Sequence, residues 1–122
     1  MPSDLRAPAI DAYGDGGFRI SGVRKDGATL ILDGAARSWR DAPADVSALT
    51  PHHFADLLKA QAKPDIVVLG AGERLIHPPA AVRQAFREAG IGLEVMDTGS
   101  ACRAYNLLAG EARRVYAALL PV

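Results

Sequence analysis

Two short stretches of this chain hold most of its chemically capable residues. Gly70-Ala71-Gly72 closes an apolar run and leads into Glu73, Arg74 and His77. Asp97-Thr98-Gly99-Ser100 closes a second run and leads into Cys102. Glycines that follow a strand let the backbone approach a phosphate closely. Arg74 carries the planar fork that clamps a carboxylate or phosphate, and Glu73 and His77 are able to move protons. Thr98 and Ser100 have the chemistry of an N-cap, and the helix start behind them offers free N–H groups and a partial positive charge. In the first turn of that helix the dipole lowers the pKa of a thiol such as Cys102, and a pairing with His77 would join nucleophile to base. The candidate ligand-binding set is therefore Gly70, Gly72, Glu73, Arg74, His77, Thr98, Ser100 and Cys102, and the ligand class it suits is a small anion.

None of these groups completes a motif. Leu75 stands where a dinucleotide fingerprint needs its third glycine, and no lysine followed by Ser or Thr makes a P-loop. His52 and His53 are neighbours and diverge on a helix, so with His77 and one thiol they form no zinc pattern. Each feature also has an ordinary structural explanation: a turn leaving a strand, solvated loop charges, a helix cap, a buried cysteine. No catalytic residue, metal or cofactor is assigned.

Composition narrows the function further. Fourteen basic residues offset 14 acidic ones across 122 positions, so no field gathers phosphate backbones, and nucleic acid is not an expected partner. The same neutrality permits homo-oligomers. Hydrophobic residues at 49% against 23% charged are the balance of a globular domain, and the length suits one domain over 1–122. The single cysteine rules out an internal disulfide and points to a reducing, cytoplasmic setting. Met1 to Ile10 lacks a long apolar run, so neither a signal peptide nor a membrane span is expected there.

The elements that must position the two stretches follow from periodicity. Phe18, Ile20, Ala28, Leu30 and Leu32 alternate with polar or small residues, which predicts a hairpin of 18–24 with 28–33 around Lys25-Asp26-Gly27. Asp15-Gly16-Gly17 marks an earlier turn after a strand over Ala9–Tyr13, and Trp39 sits in a short edge strand. Asp41 to Ser47 reads as an irregular crossing. Thr50-Pro51 opens a helix over 51–62, stopped by Lys63-Pro64. Residues 65–69 form a buried strand, Pro79 to Gly90 a helix with a left-handed stop, and 91–96 a second buried strand. Helix 100–109 follows, with Glu111 to Leu120 as a further helical segment bearing Arg113 and Arg114. The fold class is α/β with a mixed sheet: an N-terminal antiparallel meander, then a parallel βαβ-type unit with helices packed on it.

The order Ile66-Val67-Val68-Leu69-Gly70-Ala71-Gly72, Gly90-Ile91-Gly92-Leu93-Glu94-Val95-Met96-Asp97-Thr98, Ala101 to Leu108 and Glu111 to Leu119 resembles a known family. It is a small domain of unknown function shared by many bacteria and archaea. Its eukaryotic relatives are the mitochondrial NADH dehydrogenase (complex I) assembly factor 3 and an adipogenesis-associated domain protein. The resemblance implies a mixed α/β fold, no agreed catalytic residues, and service as a binding or assembly factor. A non-enzymatic module with a protein partner is thus the expected function, and an anion-binding protein or enzyme using the 70–78 and 97–102 loops is the alternative.

Overall fold

The computed structural model describes residues 7–111 and 113–122. Three hairpins are written into the first forty residues by two-residue turns. Strands β1 (Ile10–Gly14), β2 (Gly17–Ile20) and β3 (Val23–Asp26) form an antiparallel sheet in the order β1-β2-β3. Asp15-Gly16 and Ser21-Gly22 turn between them, and Asp33-Gly34 turns between β4 (Thr29–Leu32) and β5 (Ala35–Ser38). In all three turns both residues have positive φ, which matches the twist of paired strands. At Asp26-Gly27 only the glycine does. The hairpin expected at that point is therefore absent. The chain instead crosses there from the small sheet to a larger one.

That larger sheet has five strands in the order β5-β4-β8-β6-β7, with β6 Ile66–Gly70, β7 Gly92–Met96 and β8 Val115–Leu119. β6 runs parallel to both β7 and β8, while β4 pairs antiparallel to β8. The parallel pairing of 65–69 with 92–96 is as expected, but two assignments change. Residues 115–119 are the central strand and not a helix. β7 is an edge strand, only half-buried along its length, where a covered strand was expected.

Strand alternation divides the apolar residues between two faces. Leu30, Leu32, Val67, Leu69, Tyr116 and Ala118 face a layer built from Trp39, Val46, Leu49, Phe54, Leu57 and helix α2 (Ala80–Ala89), which contributes Val82 and Phe86. Phe54 contacts both Trp39, at 5.4 Å, and Phe86, at 5.2 Å edge to face. The predicted helix 51–62 is shorter: a 3-10 turn over Pro51–Phe54 and a single α turn, α1 (Ala55–Leu58). Trp39 follows β5, and its indole N–H donates to the His53 carbonyl at 2.8 Å, fixing this turn to the sheet edge.

Ile31, Val68, Val115, Ala117 and Leu119 face the other way. There they meet helix α3 (Thr98–Ala109) and the inner face of the small sheet, through Ile10, Phe18 and Ile20. Asn106 joins these two parts. Its side chain accepts from the Ile10 N–H at 2.9 Å and donates to the Ile10 carbonyl at 2.8 Å, as a neighbouring strand would. Asn106→Ala is expected to cost about 1–3 kcal/mol in urea denaturation, because two backbone groups lose their partners. Amide exchange at Ile10 should accelerate while that at Val68 changes only with global stability. Unchanged exchange at Ile10 would show that the clamp carries no load.

Candidate functional site

The turns that leave β6 and β7 open side by side on one rim, because the two strands are parallel and in direct register. Several of their backbone donors are already taken. The Gly72 N–H donates to Thr98 Oγ1 at 2.9 Å, the Thr98 N–H to the Gly72 carbonyl at 2.8 Å, and the Ala71 N–H to the Met96 carbonyl at 2.8 Å. Thr98 Oγ1 in turn donates to the Leu120 carbonyl at 2.7 Å, so one hydroxyl ties together the ends of three strands. Thr98 is buried. Gly70 packs against it so closely that a Cβ there would lie 2.9 Å from the hydroxyl.

The N-cap of α3 is Asp97 and not Thr98 or Ser100. Its carboxylate accepts from the Ser100 N–H at 3.0 Å, and the bonds from Ser100 hold its pKa below the ordinary carboxylate value. The chain thus supplies its own anion at this helix start. Tyr13 reaches over from the small sheet to lie against Gly99, and Arg103 donates to both the Tyr13 hydroxyl and Ser100 Oγ at 3.3 Å.

The remaining predicted residues separate. Glu73 and Arg74 are exposed on the loop that follows Gly72. His77 is exposed too, with Nδ1 2.7 Å from the Arg83 guanidinium on α2. Cys102 is buried against the small sheet on the opposite side of the main sheet from α2, so no Cys–His pair forms. Burial pushes its thiol from an ordinary 9.0 up to about 12, against the lowering that a helix start alone would suggest. Among the described residues no cluster of three or more His, Cys, Asp or Glu side chains is arranged to hold a metal.

A cavity of about 220 Å³ lies at the other end of the sheet, at the amino ends of β6 and β8. Its walls include Ile31, Ala62, Ala109 and Val115, with Asp33, Arg113 and Arg114 among the polar groups around it. Tyr116 also lines it, its hydroxyl 2.9 Å from Asp33 Oδ1 and 2.8 Å from the Ala62 carbonyl. Burial first, and then Asp33, raise the Tyr116 pKa to about 12. The sequence reading missed this place because it put Arg113 and Arg114 on a helix. The aromatic and β-branched start of Val115-Tyr116, after the glycine at 110, was the available signal for a strand.

Two measurements check this geometry. Thr98→Val should lower stability by about 1–3 kcal/mol, since it strands the Gly72 N–H and the Leu120 carbonyl, whereas Thr98→Ser should retain most of it. Equal stability of the two variants in urea would contradict the bridging role. Buried Cys102 and Tyr116 ionise more easily in the unfolded chain, which binds fewer protons above pH 9, so stability should fall as pH rises from about 9 to about 12. Thiol labelling at pH 8.5 should accordingly be slow in the folded protein and fast after unfolding; rapid labelling of the native state would contradict the burial.

Comparison with known proteins agrees with this architecture. Residues 10–120 match the family model described as "Protein of unknown function (DUF498/DUF598)". An uncharacterized protein of Rhodobacter capsulatus is 36% identical over 124 residues, covering 99% of this chain and 90% of that protein. Human NADH dehydrogenase (ubiquinone) 1 alpha subcomplex assembly factor 3 is 34% identical over 116 residues, which span 95% of this chain but 62% of the human protein. The crystal structure of an outer membrane protein from Bartonella henselae has a TM-score of 0.86 at 28% identity, covering 95% of this chain and 96% of that one. With a match across 10–120 and relatives above 30% identity over nearly its full length, the chain belongs to this DUF498/DUF598 family.

Proposed function

We propose that this chain is a non-enzymatic binding module that docks onto a protein, in the manner of an assembly factor. The observation that carries the proposal is the Leu75-Ile76 pair. These two consecutive aliphatic residues are 55% and 46% exposed on the loop leaving β6, between Arg74 and His77. Solitary exposed aliphatics are common on any surface, but an adjacent pair flanked by a guanidinium and an imidazole has the makeup of an interface anchor with a polar rim. The loop is held at its base by the Gly72–Thr98 bonds, so the pair is presented from a fixed platform. Names among the relatives support the same class, since several are complex I assembly factors. The chemistry of the site also favours binding over reaction. Cys102 is buried and makes no pair with His77, and the amides of Gly72, Thr98 and Ser100 are already bonded.

The partner surface that fits this loop offers an apolar recess beside a carboxylate for Arg74. Leu75→Ser/Ile76→Ser tests it. Wild-type chain bearing an affinity tag, expressed in its own host and cross-linked before lysis, should recover a reproducible protein. Recovery should fall by about tenfold in the double variant, the loss expected for an anchor residue, with an unchanged thermal midpoint. Equal recovery by both chains would remove the loop from the interface.

A further inference from the structure

Independently of any protein partner, the geometry points to a small-molecule site in the cavity beneath the Asp33-Gly34 turn, taking a short carboxylate that carries a second oxygen at the far end of an apolar body. Three observations carry this assignment. The first is Tyr105. It lies on α3, lines the cavity, is 0% exposed, and its hydroxyl has no hydrogen-bond partner among the described residues. A buried hydroxyl left unpaired costs about 1–3 kcal/mol, so native proteins rarely keep one without a use or a bound molecule. Burial raises the pKa of this phenol, which therefore stays protonated and serves as a donor. The group it would satisfy is an acceptor, such as a keto or hydroxyl oxygen.

The second observation is charge at the border. Arg113 and Arg114 line the same cavity and are exposed, and among the described residues neither forms an ion pair. The Arg114 guanidinium donates a long bond, 3.4 Å, to the Lys63 carbonyl, while its backbone N–H donates to Asp65 Oδ2 at 3.0 Å. Among the described residues Asp33 is the one carboxylate in the lining, and the Tyr116 hydroxyl already faces it. The described border therefore carries two guanidiniums against one carboxylate, and guanidiniums suit a carboxylate ligand.

The third is size and wall chemistry. At about 220 Å³ the cavity holds roughly seven waters' volume, below the range of drug-sized ligands. The wall is also lined by the aliphatic side chains of Ile31, Ala109 and Val115. A nucleotide exceeds this volume, and a wholly polar ion would leave the aliphatic wall without contacts.

Titration of the full ¹⁵N-labelled chain with 4-oxopentanoate, pentanoate and 2-pentanone at matched ionic strength tests the assignment. The expected result is saturable shifts at the amides of Asp33, Gly34, Ala109 and Val115, with 4-oxopentanoate binding tightest. Tyr105→Phe should erase its advantage over pentanoate, a loss of about tenfold. Arg113→Ala combined with Arg114→Ala should erase its advantage over 2-pentanone, and Ala109→Leu, which fills the cavity, should abolish binding of all three. The assignment is overturned if none of the three saturates, if shifts map elsewhere, or if Tyr105→Phe raises stability while leaving the order of affinities unchanged. That last result would identify an unpaired hydroxyl with no ligand to serve. Because Leu75 and Ile76 take no part, this experiment and the docking experiment can fail separately.

Discussion

The five residues Val115–Leu119, bonded on one side to β4 and on the other to β6, hold this molecule together. A strand in that position has both edges paired and both faces covered, so each of its side chains must be apolar or have its polar end satisfied. Val115, Ala117 and Leu119 meet this on the α3 side, and Ala118 on the α2 side. Tyr116 is the exception, and its hydroxyl reaches the sheet's end, within hydrogen-bond distance of Asp33 Oδ1 and the Ala62 carbonyl. The small side chains at 117 and 118 let helix and strand layers approach closely from both sides. Two fully buried alanines in the middle of a sheet are the mark of that crowding.

The two rims of the sheet follow from the same strand. At its carboxyl end, the Leu120 carbonyl accepts from the Thr98 hydroxyl, and the Leu120 N–H donates to the Gly70 carbonyl. The rim is thereby knitted shut and becomes a rigid base for the Leu75-Ile76 loop. At its amino end, the backbone emerges with Arg113 and Arg114 beside the Asp33-Gly34 turn, and the layers do not fill the space between α3 and the sheet. One rim presents a surface and the other a half-open recess. In many open α/β sheets the ligand lies at the carboxyl ends of the strands. Here those ends are closed by Thr98 and Tyr13, and the recess lies at the opposite end.

Much of the fold was legible because it is dictated locally. Pro79 and Gly90 bound α2, with Gly90 in the left-handed conformation that a helix stop requires. The apolar runs at 66–70 and 92–96 are strands, and their pairing is parallel because a helix crosses between them. Two places misled for definite reasons. Asp26-Gly27 has the composition of a hairpin turn, yet Asp26 keeps negative φ, and the Gly27 N–H bonds back to Gly16 in the small sheet. Val115 to Leu120 is a six-residue apolar run, which fits a buried strand or a buried helix equally well when its neighbours are unknown.

By itself, the sequence determined the class, the family likeness, the parallel unit and the convergence of the 70–78 and 97–102 loops, since all of these rest on spacing and on local backbone preference. Only tertiary structure decided what those loops are free to do. A hydroxyl such as that of Thr98 is a ligand group or a structural rivet according to what lies within 3 Å of it, and its partner Leu120 is 22 residues away in sequence. The same holds for Cys102, whose place near a helix start suggests a thiolate, whereas burial by the small sheet raises its pKa instead. The cavity under Asp33 is likewise invisible in one dimension. Its walls come from residues near 8, 31, 62, 105 and 115, and only the central placement of β8 brings them together.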